Sequence, residues 1–234
     1  MTVKGLPVKP IVAVLCPMPM EFSAVEKAFG KLGEPLESVF EEKKFDFAGL
    51  DVVLARCGVG KTLAAAKTQK LIQMFEPDHL FVCGVAGAIA EDLDVFDVVV
   101  PNRVVHGDIR FGDAYNPTDV TESGEEFFIG KPQYSASAYL PERLNAPYRS
   151  GTLATIDSFA EEAEKDFLEE KFNACCIDME SAAVAQVATM WNIPVTVVRA
   201  ISDNRNHTMG DFETNAPKAC DVAAQTLTDL LKKI

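Results

Sequence analysis

Short apolar runs alternate along this chain with longer segments whose apolar residues recur at helical spacing. The runs are rich in Val and Ile and occupy residues 11–16, 52–56, 79–83, 95–100 and 195–201. Bounded apolar runs of this length are typical of strands that are buried on both faces of a sheet. The periodicity of about 3.6 residues between them predicts helices. The predicted helices cover residues 20–29, 61–75, 160–172, 180–191 and 214–231.

This alternation predicts a three-layer α/β fold, in which helices flank a central and largely parallel β-sheet. Residues 38–47 fit an antiparallel hairpin better, so we expect the sheet to be mixed. Residues 111–137 are rich in Gly, Pro, Asn, Asp and Tyr without a clear period, which predicts a long ordered loop of the kind that often carries function. The chain has no internal repeat or linker, which favours a single domain over residues 1–234.

Charge and cysteine content narrow the range of partners. The 35 acidic and 22 basic residues give a formal net charge of -13, and no basic patch points to nucleic acid or to a membrane surface. The six cysteines lie in or beside apolar segments, and neither they nor the three histidines have metal-ligand spacing, so we expect reduced core cysteines and no metal. The amino terminus lacks a signal-like apolar segment, and the apolar runs are too short for a bilayer. We therefore expect a cytoplasmic protein.

Two carboxylates follow predicted strands, at the sheet edge where ligands bind in open α/β folds. Glu21 comes after the first strand and opens a helix, whose dipole favours the anion that a general base requires. A carboxylate that only complements its helix end is the alternative, and this segment by itself favours that alternative. Asp203 ends the most apolar strand, where burial raises a carboxyl pKa and makes a proton donor possible. A helix cap or a turn aspartate is the alternative for this residue.

Glycines follow two other predicted strands. Residues 57–62, Cys-Gly-Val-Gly-Lys-Thr, resemble part of a phosphate-binding loop, but Ala55 stands where that motif has its first glycine. A tight strand-to-helix turn is the better interpretation, and a P-loop nucleoside triphosphatase is the alternative. Gly84 and Gly87 enclose Val85 and Ala86 in a second small-residue turn, where the backbone can approach a ligand closely.

Five segments resemble the motifs of one protein family, and their order and spacing match that family from about residue 11 to residue 234. They are Glu21, Gly58-Val-Gly-Lys61, Gly84-Val-Ala-Gly87, Asp178-Met-Glu180 and Arg199-Ala-Ile-Ser-Asp203. Together they resemble the 5′-methylthioadenosine/S-adenosylhomocysteine nucleosidases of the nucleoside phosphorylase superfamily. The resemblance implies a phosphorylase/hydrolase-like fold. It also implies hydrolysis of the N-glycosidic bond of an adenine nucleoside, with neither a metal nor an organic cofactor.

The resemblance also implies a role for each matched residue. Asp203 matches the acid that protonates adenine N7, and Glu21 matches the carboxylate that orients and deprotonates the attacking water. One acid and one base around a glycosidic bond are what an inverting glycosidase uses. The other matches have binding or supporting roles: Glu180 holds the ribose hydroxyls, Met179 packs against the sugar, Phe159 stacks on the purine, Ala160 contacts the base through its backbone, Val85, Ala86, Gly87 and Ser202 line the substrate pocket, and Arg199 supports the carboxylates.

The chain departs from the family pattern at two places. Val85 stands where many members have a small polar residue beside the catalytic aspartate, and residues 106–115 lack the usual Phe-Gly-Tyr sequence. The first departure leaves the hydrogen bonding of Asp203 open, and the second leaves the 5′ substituent of the substrate open. The resemblance further implies a homodimer, with Phe111 and Tyr115 as candidates for residues that complete the pocket across the subunit interface.

Two further functions compete with hydrolysis. A nucleoside phosphorylase of the same fold would hold phosphate through fixed cations, but this chain has Cys16-Pro-Met-Pro where those enzymes carry Gly-Asp-Pro-x-Arg. A relative that only binds nucleosides is possible because fold does not dictate function. Such a protein would need neither the acid Asp203 nor the base Glu21.

Overall fold

The computed structural model describes residues 9–109, 133–136, 144, 147–205 and 209–234, which contain eleven strands and five helices. The strands are β1 (Ile11–Cys16), β2 (Glu34–Pro35), β3 (Glu42–Phe47), β4 (Leu50–Arg56), β5 (His79–Ala88), β6 (Val98–Val99), β7 (Arg103–His106), β8 (Gln133–Ser135), β9 (Thr152–Thr155), β10 (Ala174–Asp178) and β11 (Val195–Asp203). The helices are α1 (Pro19–Phe29), α2 (Lys61–Phe75), α3 (Glu162–Phe172), α4 (Ser181–Met190) and α5 (Met209–Leu231).

All eleven strands join in one mixed sheet. Its order is β2-β3-β4-β1-β5-β10-β9-β7-β8, and β11 pairs with β5 and with β6. The central pairs β4–β1, β1–β5 and β5–β11 are parallel, as are β10–β9 and β9–β7, whereas the pairs of β5 with β10, β2 with β3, β3 with β4, β6 with β11 and β7 with β8 are antiparallel. The predicted fold class is confirmed.

Helices cover both faces of the sheet because its central strands are apolar on both sides. Along β1, Ala13 and Leu15 pack in one hydrophobic cluster with residues of α2 and α4. Val12 and Val14 pack in a second cluster with residues of α1 and α5. Alternate side chains of a strand point to opposite faces, so a continuous apolar run fills both clusters at once. All six cysteines are free and buried, as expected.

Several predicted elements differ from the observed ones at their ends. The strand predicted over residues 95–100 is reduced to β6, because Phe96 has a left-handed backbone with φ of 77°. The hairpin predicted within residues 38–47 is instead formed by β3 and β4, which turn at Ala48 and Gly49, both with positive φ. Helix α5 begins at Met209, five residues before its predicted start.

The second glycine turn is a wrong prediction, because Gly84 and Gly87 lie inside strand β5 and not after it. They pair there with Arg199 and Asp203 of β11. Most of the loop predicted over residues 111–137 lies outside the described residues, and Phe111 and Tyr115 lie there too. Its described part includes strand β8, which the prediction missed. No helix within the described residues is long and apolar enough to cross a membrane.

Candidate active site

One cavity of about 350 Å³ brings together all ten residues predicted to act in catalysis or substrate binding. It opens where β1, β5, β10 and β11 end. The ten residues are Glu21 at the start of α1, Val85, Ala86 and Gly87 in β5, Phe159 and Ala160 between β9 and α3, Met179 and Glu180 between β10 and α4, and Ser202 and Asp203 at the end of β11. Segments far apart in sequence meet here because parallel strands present their carboxyl ends at one edge.

Arg199 does not line the cavity but lies behind it, with a side chain that is 0% exposed. Its Nη2 forms an ion pair with Asp178 Oδ2 and lies 3.3 Å from Glu180 Oε2, while its Nη1 lies 3.7 Å from Glu21 Oε1. One buried cation thus serves three buried carboxylates. This placement agrees with the supporting position that the sequence resemblance implies.

Glu21 both caps helix α1 and reaches the cavity, so the two alternatives for this residue coexist. Its Oε2 accepts a hydrogen bond from the Met18 backbone N–H at 2.6 Å, which closes a capping box. Its Oε1 accepts one from the Val85 backbone N–H at 2.9 Å. Burial raises the pKa of Glu21 to about 6, although Arg199 and the two backbone donors act in the opposite direction. Such a carboxylate is ionised at neutral pH yet basic enough to take a proton.

Glu180 and Asp178 form the acidic junction between β10 and α4. Glu180 Oε1 accepts a hydrogen bond from the Gly60 backbone N–H at 2.9 Å, which ties this residue to the start of α2. Burial, and then the neighbouring Asp178 charge, raise the pKa of Glu180 to about 8. Asp178 accepts hydrogen bonds from the Thr155 hydroxyl at 2.6 Å and from the Ser181 backbone N–H at 3.1 Å. Asp178 therefore fixes the start of α4 and is at the same time one of the three carboxylates that Arg199 contacts.

Asp203 reaches the cavity through an irregularity in β11. The pairing with β5 shifts between Ile201 and Asp203, and such a bulge re-aims side chains that would otherwise alternate between faces. Ser202 and Asp203 consequently both line the cavity. The Ser202 hydroxyl donates to Asp203 Oδ1 at 2.7 Å. Val85 carries no polar side chain, so the hydroxyl beside Asp203 comes from its chain neighbour.

Aromatic rings stand at the more exposed part of the cavity. Phe159, 43% exposed, meets Phe212 edge to face with ring centroids 6.5 Å apart. Phe212 was not predicted as a lining residue, because the start of the last helix was placed at residue 214. The lining residues Met18, Val59 and Lys165 were not predicted either. Met18 and Val59 lie in quoted segments but were given no role, whereas Lys165 lies in no motif. Asp178 lies in a motif that sequence analysis quoted, but only its neighbours Met179 and Glu180 were given roles.

Gly84→Ala is expected to lower both activity and stability. A Cβ at this position would overlap Glu21 Oε1 and Arg199 Nη1, neither of which has room to move. Overpacking of this kind costs about 1–3 kcal/mol. Urea unfolding measures the loss of stability, and kcat/KM measures the loss of activity. Cys83→Ala, one residue earlier in β5, is the control because it removes volume instead of adding it. An unchanged kcat/KM in Gly84→Ala would show that Glu21 needs no fixed position.

Comparisons with known proteins cover nearly the whole chain. Residues 11–232 match the family model described as the Phosphorylase superfamily. A 5′-methylthioadenosine/S-adenosylhomocysteine nucleosidase of Geobacillus sp. (strain WCH70) is 33% identical over 222 residues, which is 87% of this chain and 90% of that protein. The enzyme of the same name from Shewanella halifaxensis (strain HAW-EB4) is 32% identical over 203 residues, 80% of this chain and 84% of that protein.

Solved structures agree with this similarity. A nucleosidase of the same name from S. pneumoniae, determined with the transition-state inhibitor MT-ImmA, superposes with a TM-score of 0.83 and 28% identity. The superposition covers 95% of this chain and 98% of the other. A Helicobacter pylori nucleosidase has a TM-score of 0.85 at 23% identity, covers 96% and 99% of the two chains, and shows that the fold is shared.

Proposed function

Because this chain belongs to the 5′-methylthioadenosine/S-adenosylhomocysteine nucleosidase family of the phosphorylase superfamily, we propose that it hydrolyses the N-glycosidic bond of those two nucleosides or of a related adenine nucleoside. The products are adenine and the 5′-substituted ribose. The observation that carries the proposal is the presence of Glu21 and Asp203, a buried base and a buried acid, in one cavity with Glu180. A nucleoside-binding protein without activity needs no such pair.

Asp203 is the proton donor in this proposal. As the bond between C1′ and N9 breaks, electron density moves onto the purine, and a proton at N7 lets the base leave as a neutral molecule. The Ser202 hydroxyl holds Asp203 Oδ1. Gly87 leaves space for Oδ2, since a Cβ there would lie 2.9 Å from it. Positioned general acids of this kind contribute about 10²–10⁴ in rate.

Glu21 is the general base, and Glu180 binds the ribose. Two backbone N–H groups hold the Glu21 carboxylate, so it is aimed before substrate arrives. It takes the proton of the water whose oxygen bonds to C1′. Glu180 accepts hydrogen bonds from the ribose hydroxyls, Met179 packs on the sugar, and Phe159 stacks on the purine. Ala160 contacts the base through its backbone, and Val85, Ala86 and Gly87 complete the wall. Arg199 holds Glu21 and Glu180 from behind.

The value of kcat/KM is expected to fall as the pH decreases through about 6, with a slope of one proton. The base must be ionised, and burial raises the pKa of Glu21 to about 6 from the ordinary value of 4.5. Because the pKa of Glu21 is higher in the folded state, protonated Glu21 stabilises the fold below pH 4.5. This contribution to the free energy of unfolding is lost as the pH rises through about 6. A steady-state profile from pH 5 to 8 measures the activity limb.

The control for this profile is a titration of ¹³C-labelled glutamate carboxyls by NMR, with Glu21→Gln identifying the Glu21 signal. This separates Glu21 from Glu180, whose pKa burial raises to about 8. A rate that stays constant down to pH 5 would remove Glu21 from the role of base.

Adenine release in phosphate-free buffer is the experiment that tests hydrolysis itself. We expect 5′-methylthioadenosine and S-adenosylhomocysteine to yield free 5′-substituted ribose without phosphate, and added phosphate to change neither rate nor product. Release that depends on phosphate would instead show a phosphorylase. Among the cavity-lining residues that the structure describes, Lys165 is the single cation, whereas a phosphate site requires several fixed donors.

The functional unit in this proposal is a cytoplasmic homodimer. The exposed apolar residue Val59 lines the cavity, and Val39 and Leu63, also exposed, line a groove nearby along α2. Exposed apolar groups beside a binding site are typical of interfaces. Sedimentation equilibrium should therefore give twice the 25.5 kDa of one chain. A monomer with full activity would contradict the proposal that the pocket is completed across an interface.

A further inference from the structure

A buried lysine lines the substrate cavity. Lys165, in the first turn of α3, is 4% exposed. Its Nζ donates one hydrogen bond, at 3.0 Å, to the Arg205 carbonyl oxygen. Within the described part of the chain it makes no salt bridge. An ammonium group has three donors, so two of them are not used by the hydrogen bond to the Arg205 carbonyl.

The position of Lys165 places it at the base end of the cavity. The carbonyl that it contacts belongs to Arg205, two residues after the proposed acid Asp203. Both Lys165 and the Phe159–Ala160 segment, which is proposed to contact the purine, line the cavity. In a purine, the substituent at C6 projects from the same edge as N7. A side chain on the Asp203 side of the cavity would therefore lie toward the 6-substituent of a bound purine.

The chemistry of an ammonium selects between the two common 6-substituents. The 6-amino group of adenine donates hydrogen bonds, and its lone pair is delocalised into the ring. The O6 atom of a 6-oxopurine accepts hydrogen bonds. Lys165 only donates, so it pairs with O6 and leaves the 6-amino group unmatched. Hydrogen bonds that involve a charged group are stronger than neutral ones.

We propose that Lys165 is a specificity-determining residue that lets this cavity accept 6-oxopurine nucleosides with a 5′-substituted ribose as well as adenine nucleosides. The inference rests on the proposed function, since it uses Asp203 at N7. The reaction is the same hydrolysis. Water oxygen bonds to C1′ while Glu21 takes the water proton, and the bond from C1′ to N9 breaks with its electron pair going to the base. Asp203 gives its proton to N7, so hypoxanthine leaves as the neutral tautomer that carries hydrogen on N7.

The test compares 5′-methylthioinosine with 5′-methylthioadenosine, which differ at C6 and in the proton on N1. In the wild-type protein we expect the two kcat/KM values to lie within about tenfold of each other. In Lys165→Met, which keeps the length of the side chain but no donor, the ratio of the inosine to the adenosine value should fall by about tenfold or more, because a site that loses its hydrogen bond to a substrate group loses discrimination of at least that size.

Lys171→Met is the matched control, because Lys171 is an exposed residue of the same helix and should leave the ratio unchanged. Lys165→Arg keeps a cationic donor and should retain most of the preference. Equilibrium binding of hypoxanthine and adenine to the wild-type protein and to Lys165→Met reports on the base site without turnover. We expect the Kd for hypoxanthine to increase in Lys165→Met and the Kd for adenine to stay unchanged.

The outcomes separate this inference from the proposed function. Cleavage of 5′-methylthioadenosine with no cleavage of 5′-methylthioinosine would overturn the inference and leave the proposed function intact. A ratio that does not change in Lys165→Met would also overturn it. If neither nucleoside is cleaved, the proposed function fails, and selective loss of hypoxanthine binding in Lys165→Met still decides the role of Lys165. If Lys165→Met does not fold, the wild-type ratio and the Lys165→Arg ratio decide it.

Discussion

Asp203→Asn is expected to lower kcat by at least about 10²-fold while the Kd for nucleoside stays within about threefold. The amide has the size of the carboxyl group and still accepts the Ser202 hydroxyl, whose oxygen lies 2.7 Å from Asp203 Oδ1. It cannot transfer a proton to N7, so the purine would have to leave as an anion. Because the proton moves only in the transition state, its loss lowers kcat far more than it weakens binding.

Single-turnover kinetics with 5′-methylthioadenosine and calorimetric titration of the variant measure these two quantities separately. Ser202→Ala is the matched control, since it keeps the acid and removes only the hydroxyl that holds it. We expect its kcat to fall less than that of Asp203→Asn. An undiminished rate in Asp203→Asn would remove Asp203 from the mechanism. An equal loss of binding and rate would mean that it only holds the base.

Arg199→Met is expected to destabilise the protein by about 3–5 kcal/mol at neutral pH, the usual cost when one partner of a buried ion pair is removed. The substitution keeps apolar volume but leaves Glu21, Asp178 and Glu180 without their shared cation. All three carboxylates are buried. Breaking the group is therefore costly even though a buried ion pair adds little net stability over an apolar replacement.

The destabilisation should depend on pH in a defined direction. Arg199 lowers the pKa values of Glu21 and Glu180 in the folded wild-type protein. Without Arg199, these two pKa values rise further above the values of the unfolded state. Groups with raised folded-state pKa values stabilise at low pH and lose that contribution as the pH rises through those values. The stability difference between Arg199→Met and the wild-type protein should thus be larger at pH 8 than at pH 5.

Urea unfolding at both pH values measures this difference. Arg149→Met is the matched control, because Arg149 pairs with Asp92 near the surface, with side chains 35% and 72% exposed. Exposed pairs contribute at most about 1 kcal/mol, so that variant should show a small loss. If Arg199→Met were as stable as the wild-type protein at pH 8, the three carboxylates would not depend on Arg199 for compensation.

The central strands and the helices flanking them could be predicted because buried apolar positions recur along the sequence with the period of each element. Strand β1 matches its prediction of residues 11–16, and α2 matches residues 61–75, since a strand covered on both faces must be apolar throughout and a helix against a sheet must repeat its apolar side. The cavity residues were implied by the family resemblance that the motifs carry, and all ten of them line one cavity.

Other features depend on contacts between distant segments, which local patterns do not contain. Gly84 and Gly87 look like a turn in sequence, but β11 pairs with them and keeps them in β5, while Glu21 and Asp203 occupy the space that a Cβ would need. The start of α5 was placed too late, which hid Phe212 from sequence analysis.

By itself, the sequence determined the fold class, because strand and helix periodicity is local, and its motifs carried the family resemblance that implied roles for Glu21, Glu180 and Asp203. Only the tertiary structure decided how the carboxylates share Arg199, which of them burial makes basic, and that Lys165 reaches the same cavity. The physical reason is that charge interactions and desolvation depend on distance and burial in space. Residues 21, 178, 180 and 199 are far apart or merely adjacent in the chain, and folding makes them one electrostatic unit.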